Sequence, residues 1–403
     1  MKKKVLSVVL ALTMIAACAA GCGSSSSSSS SASKSSSSAA SSSSTASTAK
    51  KGSTMTKSEL VDKTADYSKI KIGSFSTDNK DDGGWTEAQY KGITDAMKAC
   101  GMDVDTQLVF MEFIPEEAAE TTNAVEALVK EGCNVIMGAS TGYAPILSDL
   151  ATQYPDVLFT QAGAPADNLV CYQIRDYQSM YLLGYMCGLM SDSDQLGFSA
   201  GMSEASVRRA INAFALGAKY AKSSAKVKVV WANSWYDPTA EAECANSLIS
   251  SGIKYIGVDA SSPAIPQACE KAGAYCTGYH KDVTSYAPGA VLCSFVWNWA
   301  PIMESIFTTY AKNGLKPFSD YYFWGSDMDC SQISAFNDTL VPADVQQKVK
   351  DLKTKVDSGE IQVYGGELKD NEGKVLVPAG STMSDDDIIT QEFLVDNVDG
   401  TWK

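Results

Sequence analysis

Four clusters of aromatic and acidic side chains in this chain are able to hold a flat, polar ligand. The first is Asp78, Asp81, Asp82 and Trp85 in the stretch STDNKDDGGWTEAQYKG. The second is NSWYDP, with Trp235, Tyr236 and Asp237, and the third is GYHKD, with His280 and Asp282. Trp297 and Trp299 in FVWNWAP make the fourth. Aromatic faces sandwich a planar ring while carboxylates and amides take the hydrogen bonds at its edge. Stacking one nucleobase on one aromatic side chain is worth roughly 1–3 kcal/mol. A single Trp more often packs an interior. Trp85 and Trp235 differ in following strand patterns in opposite halves of the chain. A softer signal is GASTG, Gly138–Gly142, whose Ser140, Thr141 and backbone N–H groups can face a ligand. A plain strand-to-helix turn explains that motif equally well.

Catalysis has little to work with. His280 is the only histidine, which excludes His-rich metal sites and most triads, and no GxSxG elbow or Walker loop accompanies it. No nucleophile–base pair is evident beyond His280 near Asp282. The expectation is a binding protein and not an enzyme, with no catalytic residue, no metal site and no cofactor. Nine cysteines lie in the body, from Cys100 to Cys330, without a CxxC pair. That pattern indicates neither a disulfide framework nor a zinc site. The formal net charge of −14, with no Lys/Arg stripe, excludes nucleic acid as a partner.

The elements that must position these residues alternate. Buried-strand patterns run at Ile70–Phe75, Gln107–Phe113, Asn134–Gly138, Val157–Gln161 and Leu169–Ile174. A second set follows at Gln195–Ala200, Val227–Ala232, Tyr255–Val258, Ala274–Gly278 and Val291–Phe295. Amphipathic helical patterns separate them, as with Ile93, Ala96, Met97 and Cys100 at i, i+3, i+4, i+7. Such alternation makes parallel sheets covered on both faces, here two doubly wound α/β lobes with their ligand cleft at the strand carboxyl ends. The last third predicts helices over Trp297–Lys312 and Pro342–Ser358 and a hairpin within Ile361–Pro378. Ahead of the body, Met1-Lys2-Lys3-Lys4 and the apolar run Val5–Ala17 read as an export signal. Small residues precede Cys22, the expected lipidation site, with Cys18 as the second choice. Residues 1–22 are thus expected to be a lipoprotein signal and 23–60 a Ser-rich flexible tether. The membrane is then reached through the lipid anchor only.

In this order, DDGGWTEAQYKGI, YLLGYMCG, GMSEASVRRAINAFALGA, APGAVLCS and YGGELKDNEGKVLVPAGS resemble the basic membrane protein family of ABC-transporter substrate-binding lipoproteins, the purine-nucleoside receptors. The likeness runs from Lys69 to Thr401. It implies a type I periplasmic-binding-protein-like fold, with the two lobes joined by a multi-strand hinge. Lobe 1 would comprise residues 61–175 and 297–325, and lobe 2 residues 176–296 and 326–403. It also implies a monomeric, extracytoplasmic receptor that closes on a purine and delivers it to an ABC permease and ATPase. By the resemblance Trp85 stands where the family has a stacking Phe, Trp235 stands near the second stacking aromatic, and Asp78 matches a ligand-bonding acid. Asp82, Ser140, Thr141, Tyr236, Asp237, His280, Asp282 and Trp297 complete the expected ligand-binding set. The family's Gly-Val-Asp-Ser-Asp is here Gly278-Tyr279-His280-Lys281-Asp282, and its Lys is here Trp297. Losing those ribose partners favours a free base such as adenine over a nucleoside. His280 either hydrogen-bonds that base or serves the structure. The competing reading is a receptor of the same fold for a sugar or other small polar ligand, with Trp faces against a pyranose ring.

Overall fold

The computed structural model describes residues 50–51, 55–160, 167–315 and 320–402. Short apolar runs form strands, and the amphipathic runs between them form helices, so each sheet buries both faces under helices. The first sheet takes β1 (Lys50–Lys51), β2 (Ile72–Phe75), β3 (Leu108–Met111), β4 (Val135–Gly138), β5 (Leu158–Thr160) and β6 (Leu169–Ile174). After the helix Asp176–Met190 the chain builds a second sheet from β7 (Gln195–Ala200), β8 (Lys226–Trp231), β9 (Tyr255–Asp259), β10 (Tyr275–Gly278) and β11 (Val291–Trp297). It returns to the first sheet through the helix Ala300–Asn313 as β12 (Asp320–Trp324), then crosses back as β13 (Ser331–Ile333). A small ribbon, β14 (Leu368–Lys369) with β15 (Val375–Val377), precedes β16 (Val398–Asp399) at the edge of the second sheet.

The spatial orders are β1-β12-β6-β5-β4-β2-β3 and β13-β11-β10-β9-β7-β8-β16. Neighbours run parallel except β13, which is antiparallel to β11. From β2 in the first sheet and from β7 in the second, the chain steps to one side, to β3 and β8, then reverses to β4 and β9. The reversal opens a crevice at the strand carboxyl ends, between β2 and β4 in one lobe and between β7 and β9 in the other. Three crossings, after β6, β11 and β12, join the lobes beside those crevices. The first sheet carries an apolar core on each face, one with Ile72, Ile93 and Ile306, the other with Phe75, Val125 and Leu147. A single larger core, including Leu182, Phe198, Phe214 and Phe295, fills the second lobe.

Several expected elements differ from this structure. Trp297 ends β11 and is not helical; the helix begins at Ala300, with Pro301 in its first turn, where a missing N–H costs nothing. Gln107 belongs to a one-turn helix, Val104–Gln107, and Phe113 turns into the left-handed region at φ 59°, so β3 is shorter at both ends. The strand β12 had no counterpart in the sequence reading. Gln161, expected to end β5, lies outside the described residues, as do the signal, Cys18, Cys22 and most of the tether. The tether's described end is not the expected coil, since Lys50–Lys51 pair with β12, Lys57–Glu59 form a capped helical turn and Leu60 is buried. All nine body cysteines are buried free thiols.

Candidate ligand-binding site

Trp85 opens the helix Trp85–Ala99 directly after β2. Asp82 sets it there. Its Oδ1 accepts from the N–H groups of Gly84 (2.8 Å) and Glu87 (2.9 Å), and its Oδ2 from Thr86 N–H (3.1 Å). These are the donors a helix start leaves without partners, so the carboxylate caps the helix. Gly83 makes the turn in the left-handed region, φ 78°. The half-buried indole then reaches across the β2/β4 crevice, and its Nε1 donates to the Ala139 carbonyl at 2.6 Å.

Both lobes bring further rings to Trp85. Trp297 and Trp299 meet it edge-on at 5.5 Å and 5.4 Å, and stack on each other at 5.2 Å with planes only 16° apart. Tyr172 packs against Trp299 at 5.5 Å, while Phe295 and Tyr279 flank Trp297 at 4.5 Å and 6.1 Å. Gly92 allows this: a Cβ there would sit 2.4 Å from the Trp299 Cβ. A small cavity among Trp85, Gln89, Ala139, Ser140, Tyr172 and Trp299 has room for about one water.

His280 ties the wall to the second lobe. Its backbone is left-handed, φ 71°, a conformation that costs on the order of 1 kcal/mol and persists where surroundings fix it. Here Trp297 N–H donates to the His280 carbonyl (3.2 Å) and the Trp297 Nε1–H donates to Nδ1 (3.0 Å). Nδ1 is therefore the acceptor, and Nε2 carries the proton, 3.0 Å from Ser261 Oγ. Burial pulls the imidazole down to about 4, so it is neutral at neutral pH. Next to it Lys281 Nζ pairs across the cleft with Glu87 at 2.8 Å.

Beneath the rings lies a charged floor. Asp176, the first residue of the crossover helix, accepts from Arg209 Nε at 2.7 Å, with both side chains almost fully buried. Asp259, at the end of β9, is 5% exposed. Burial, and then the Asp176 charge, raise its carboxyl to about 7 against the pull of the Tyr279 hydroxyl and Arg209. Among the described residues, Asp176 Oδ2, Asp259 Oδ2 and Trp299 Nε1 have no hydrogen-bond partner.

Of the residues singled out in the sequence, Trp85, His280, Trp297 and Trp299 come together. The others lie around them. Asp78 holds the Asn79 amide N–H (2.9 Å) in an exposed loop. Asp237 caps the helix Pro238–Ser250 through Thr239 and Ala240 N–H, and Asp282 accepts from Thr284 N–H in a turn. Ser140 hydrogen-bonds Glu116, and Thr141 begins a one-turn helix. Trp235 and Tyr236 stand 55% and 60% exposed on the rim.

Two lobes with a hinge-side cleft lined by rings are the frame of an importer's binding protein, and sequence comparison settles the family. A model described as ABC transporter substrate-binding protein PnrA-like (Bmp) matches residues 69–367. The chain belongs to this family. A purine-binding protein of Brucella abortus is similar to this Bmp protein at 28% identity over 82% of its chain and 93% of that relative. A putative ABC transporter glucose-binding protein of Haloferax volcanii is 27% identical over 67% of the Bmp protein and 69% of the relative. Among solved structures, a solute-binding protein of an ABC transporter system from Conexibacter woesei superposes with TM-score 0.61. It is 17% identical and covers 73% of this chain and 98% of its own, which shows a shared fold. ABC substrate-binding proteins work outside the cytoplasm, and among the described residues no helix is long and apolar enough to cross a membrane.

The sequence reading of this Bmp protein did not find the floor. Asp259 had a signal, an acid closing the apolar run YIGV, but the strand had been ended at Val258. Arg209 also had one: a pair of arginines opens an otherwise apolar helix in SVRRAINAFALGA. Asp176 had none, because its burial depends on how the crossover meets the second sheet.

Proposed function

We propose that this protein is a lipid-anchored receptor, tethered through Cys22, that captures a purine between its lobes and passes it to an ABC permease and its ATPase. A free base such as adenine is preferred over its nucleoside. The observation that carries the reading is the set of ring faces drawn from both lobes, Trp85 and Trp299 from one side and Trp297 from the other. Rings from two lobes around one flat guest make binding and closure the same event. The base preference is supported by residues 280 and 297. A neutral imidazole with both nitrogens engaged and an indole offer ribose hydroxyls neither a carboxylate nor an ammonium. The similarity to a protein named as purine-binding adds support.

In this reading the lobes comprise 61–175 with 297–325 and 176–296 with 326–403, except that Trp297, which ends β11 in the second sheet, stands with the second lobe. The monomer acts by binding without chemistry. The cavity beside Trp85 is water-sized, so a base enters as the lobes part and is gripped on closure. Asp78, Asp82, Ser140 and Thr141 frame the first lobe's lip. Trp235, Tyr236, Asp237 and Asp282 frame the second. A sugar ligand is the second reading, favoured by the similarity to a putative glucose-binding protein. Denaturing protein purified from its own cells and taking the ultraviolet and mass spectra of what is released separates the two. A purine spectrum is expected; a released sugar with no purine overturns the proposal. Palmitate labelling that persists undiminished in Cys22→Ser overturns the anchor.

A further inference from the structure

Buried polar atoms nearly always have a partner, and an orphan carboxylate oxygen in a native interior calls for an explanation. Two occur together here. Asp176 gives one oxygen to Arg209 and keeps Oδ2 free, and Asp259 Oδ2 is free as well. Three elements enclose Asp259. The crossover helix brings the Asp176 carboxylate, the helix Ala205–Ala221 brings the Arg209 guanidinium, and the end of β10 brings the Tyr279 hydroxyl. Arg209 is already engaged by Asp176, so one buried guanidinium faces two buried carboxyl groups. A donor is missing. Tyr279 shows where it would arrive from: its hydroxyl meets Asp259 while its ring packs on His280 at 4.4 Å and lies 6.1 Å from Trp297. Asp259 thus adjoins the aromatic wall, at the carboxyl end of β9 where ligands bind in open α/β sheets.

We propose that Asp259 is the specificity-determining residue of the cleft, its free oxygen accepting a hydrogen bond from an N–H group on the edge of the bound purine. The proposal rests on the purine reading above. A carboxylate that accepts a ligand N–H selects for that donor strongly, because an analogue lacking it leaves the buried oxygen unpaired. Sugar hydroxyls and ring N–H groups are both donors, but only the N–H groups lie in the plane of a flat guest stacked on a Trp face.

Calorimetry on the wild type and Asp259→Asn tests this with adenine, with unsubstituted purine, which lacks the amino group, and with 9-methyladenine, which lacks the imidazole N–H. Asp259→Asn is expected to weaken adenine at least tenfold. One of the two analogues should bind the wild type at least tenfold more weakly than adenine, and that same analogue should lose little more in the variant. The Tyr279 hydroxyl holds the variant's amide oxygen and leaves its NH2 facing the ligand N–H, so both changes remove one bond. The ligand-free melting temperature of Asp259→Asn should hold or rise, because an amide replaces an unpaired buried charge. Adenine binding the variant within threefold of the wild type overturns the inference and leaves the purine reading standing. So does an unchanged ratio of both analogues to adenine between the two proteins. A wild type that binds none of the three compounds overturns the purine reading and this inference together.

Discussion

The ring wall and the charged floor of the cleft touch each other and follow opposite rules. On the wall, Trp85 Nε1, Trp297 Nε1 and both nitrogens of His280 are engaged by the protein itself, at 2.6–3.0 Å, and Trp299 Nε1 is the exception. What the wall offers a ligand is therefore chiefly faces, and faces grip any flat ring. On the floor, Asp176 and Asp259 keep free oxygens in a buried setting, at a cost in stability. Under the proposed function the difference separates grip from choice: the rings would supply affinity, and the unpaired Asp259 oxygen the preference among rings.

The largest effect should come from breaking the floor. Arg209→Met leaves Asp176 buried without its partner, and urea unfolding should show a loss of about 3–5 kcal/mol. An unchanged midpoint would mean that the pair carries no structural charge balance.

Next come the titrations, which have opposite signs on wall and floor. His280 is pulled down to about 4, so the stability it contributes is full above its ordinary 6.5 and is lost as pH falls toward 4. Asp259 is pushed from 3.8 up to about 7, so the fold is favoured below 3.8 and that advantage is lost as pH rises through 7. Each window amounts to about 3–4 kcal/mol. Asp259→Asn should therefore stabilise the ligand-free protein at pH 8 and do little at pH 4, and His280→Gln should flatten the acid side. The two variants changing stability with the same pH trend would break the comparison.

Smaller effects sharpen it. Trp85→Ala should weaken ligand binding by roughly 1–3 kcal/mol in calorimetry. Trp235→Ala, on the exposed rim, should weaken it by less than about 1 kcal/mol. Equal losses would move the rim into the clamp. Smallest is Lys281→Ala. It removes a cross-cleft ion pair about one-third exposed, and should change affinity by less than about 1 kcal/mol, with the difference vanishing at high salt.

The wall was legible in the sequence and the floor was not, for a physical reason. Trp85, Trp297 and Trp299 announce themselves because their type is rare and each lies close to the end of an apolar run. Strands such as Leu169–Ile174 and Gln195–Ala200 were readable to the residue, since turns bound them on both sides. Acids are common at turns, and most of those flagged, Asp78, Asp82, Asp237 and Asp282, serve loops and caps. What distinguishes Asp176 and Asp259 is burial, which is created by lobes joining through three crossings. For Asp176 no local pattern carries that information, and for Asp259 the one hint is an acid closing the apolar run YIGV. The strand β12 was hidden likewise, because DYYFW alternates no more clearly than a core helix turn would.

The central claim is that the cleft takes a planar purine base, and one calorimetric series tests it most directly. Purified, ligand-stripped protein is titrated with adenine, guanine, hypoxanthine, adenosine, inosine and glucose. The account predicts that at least one free base binds more tightly than every nucleoside, raises the melting temperature by linkage, and that glucose gives no binding heat. Saturable glucose binding with no response to any purine would contradict it.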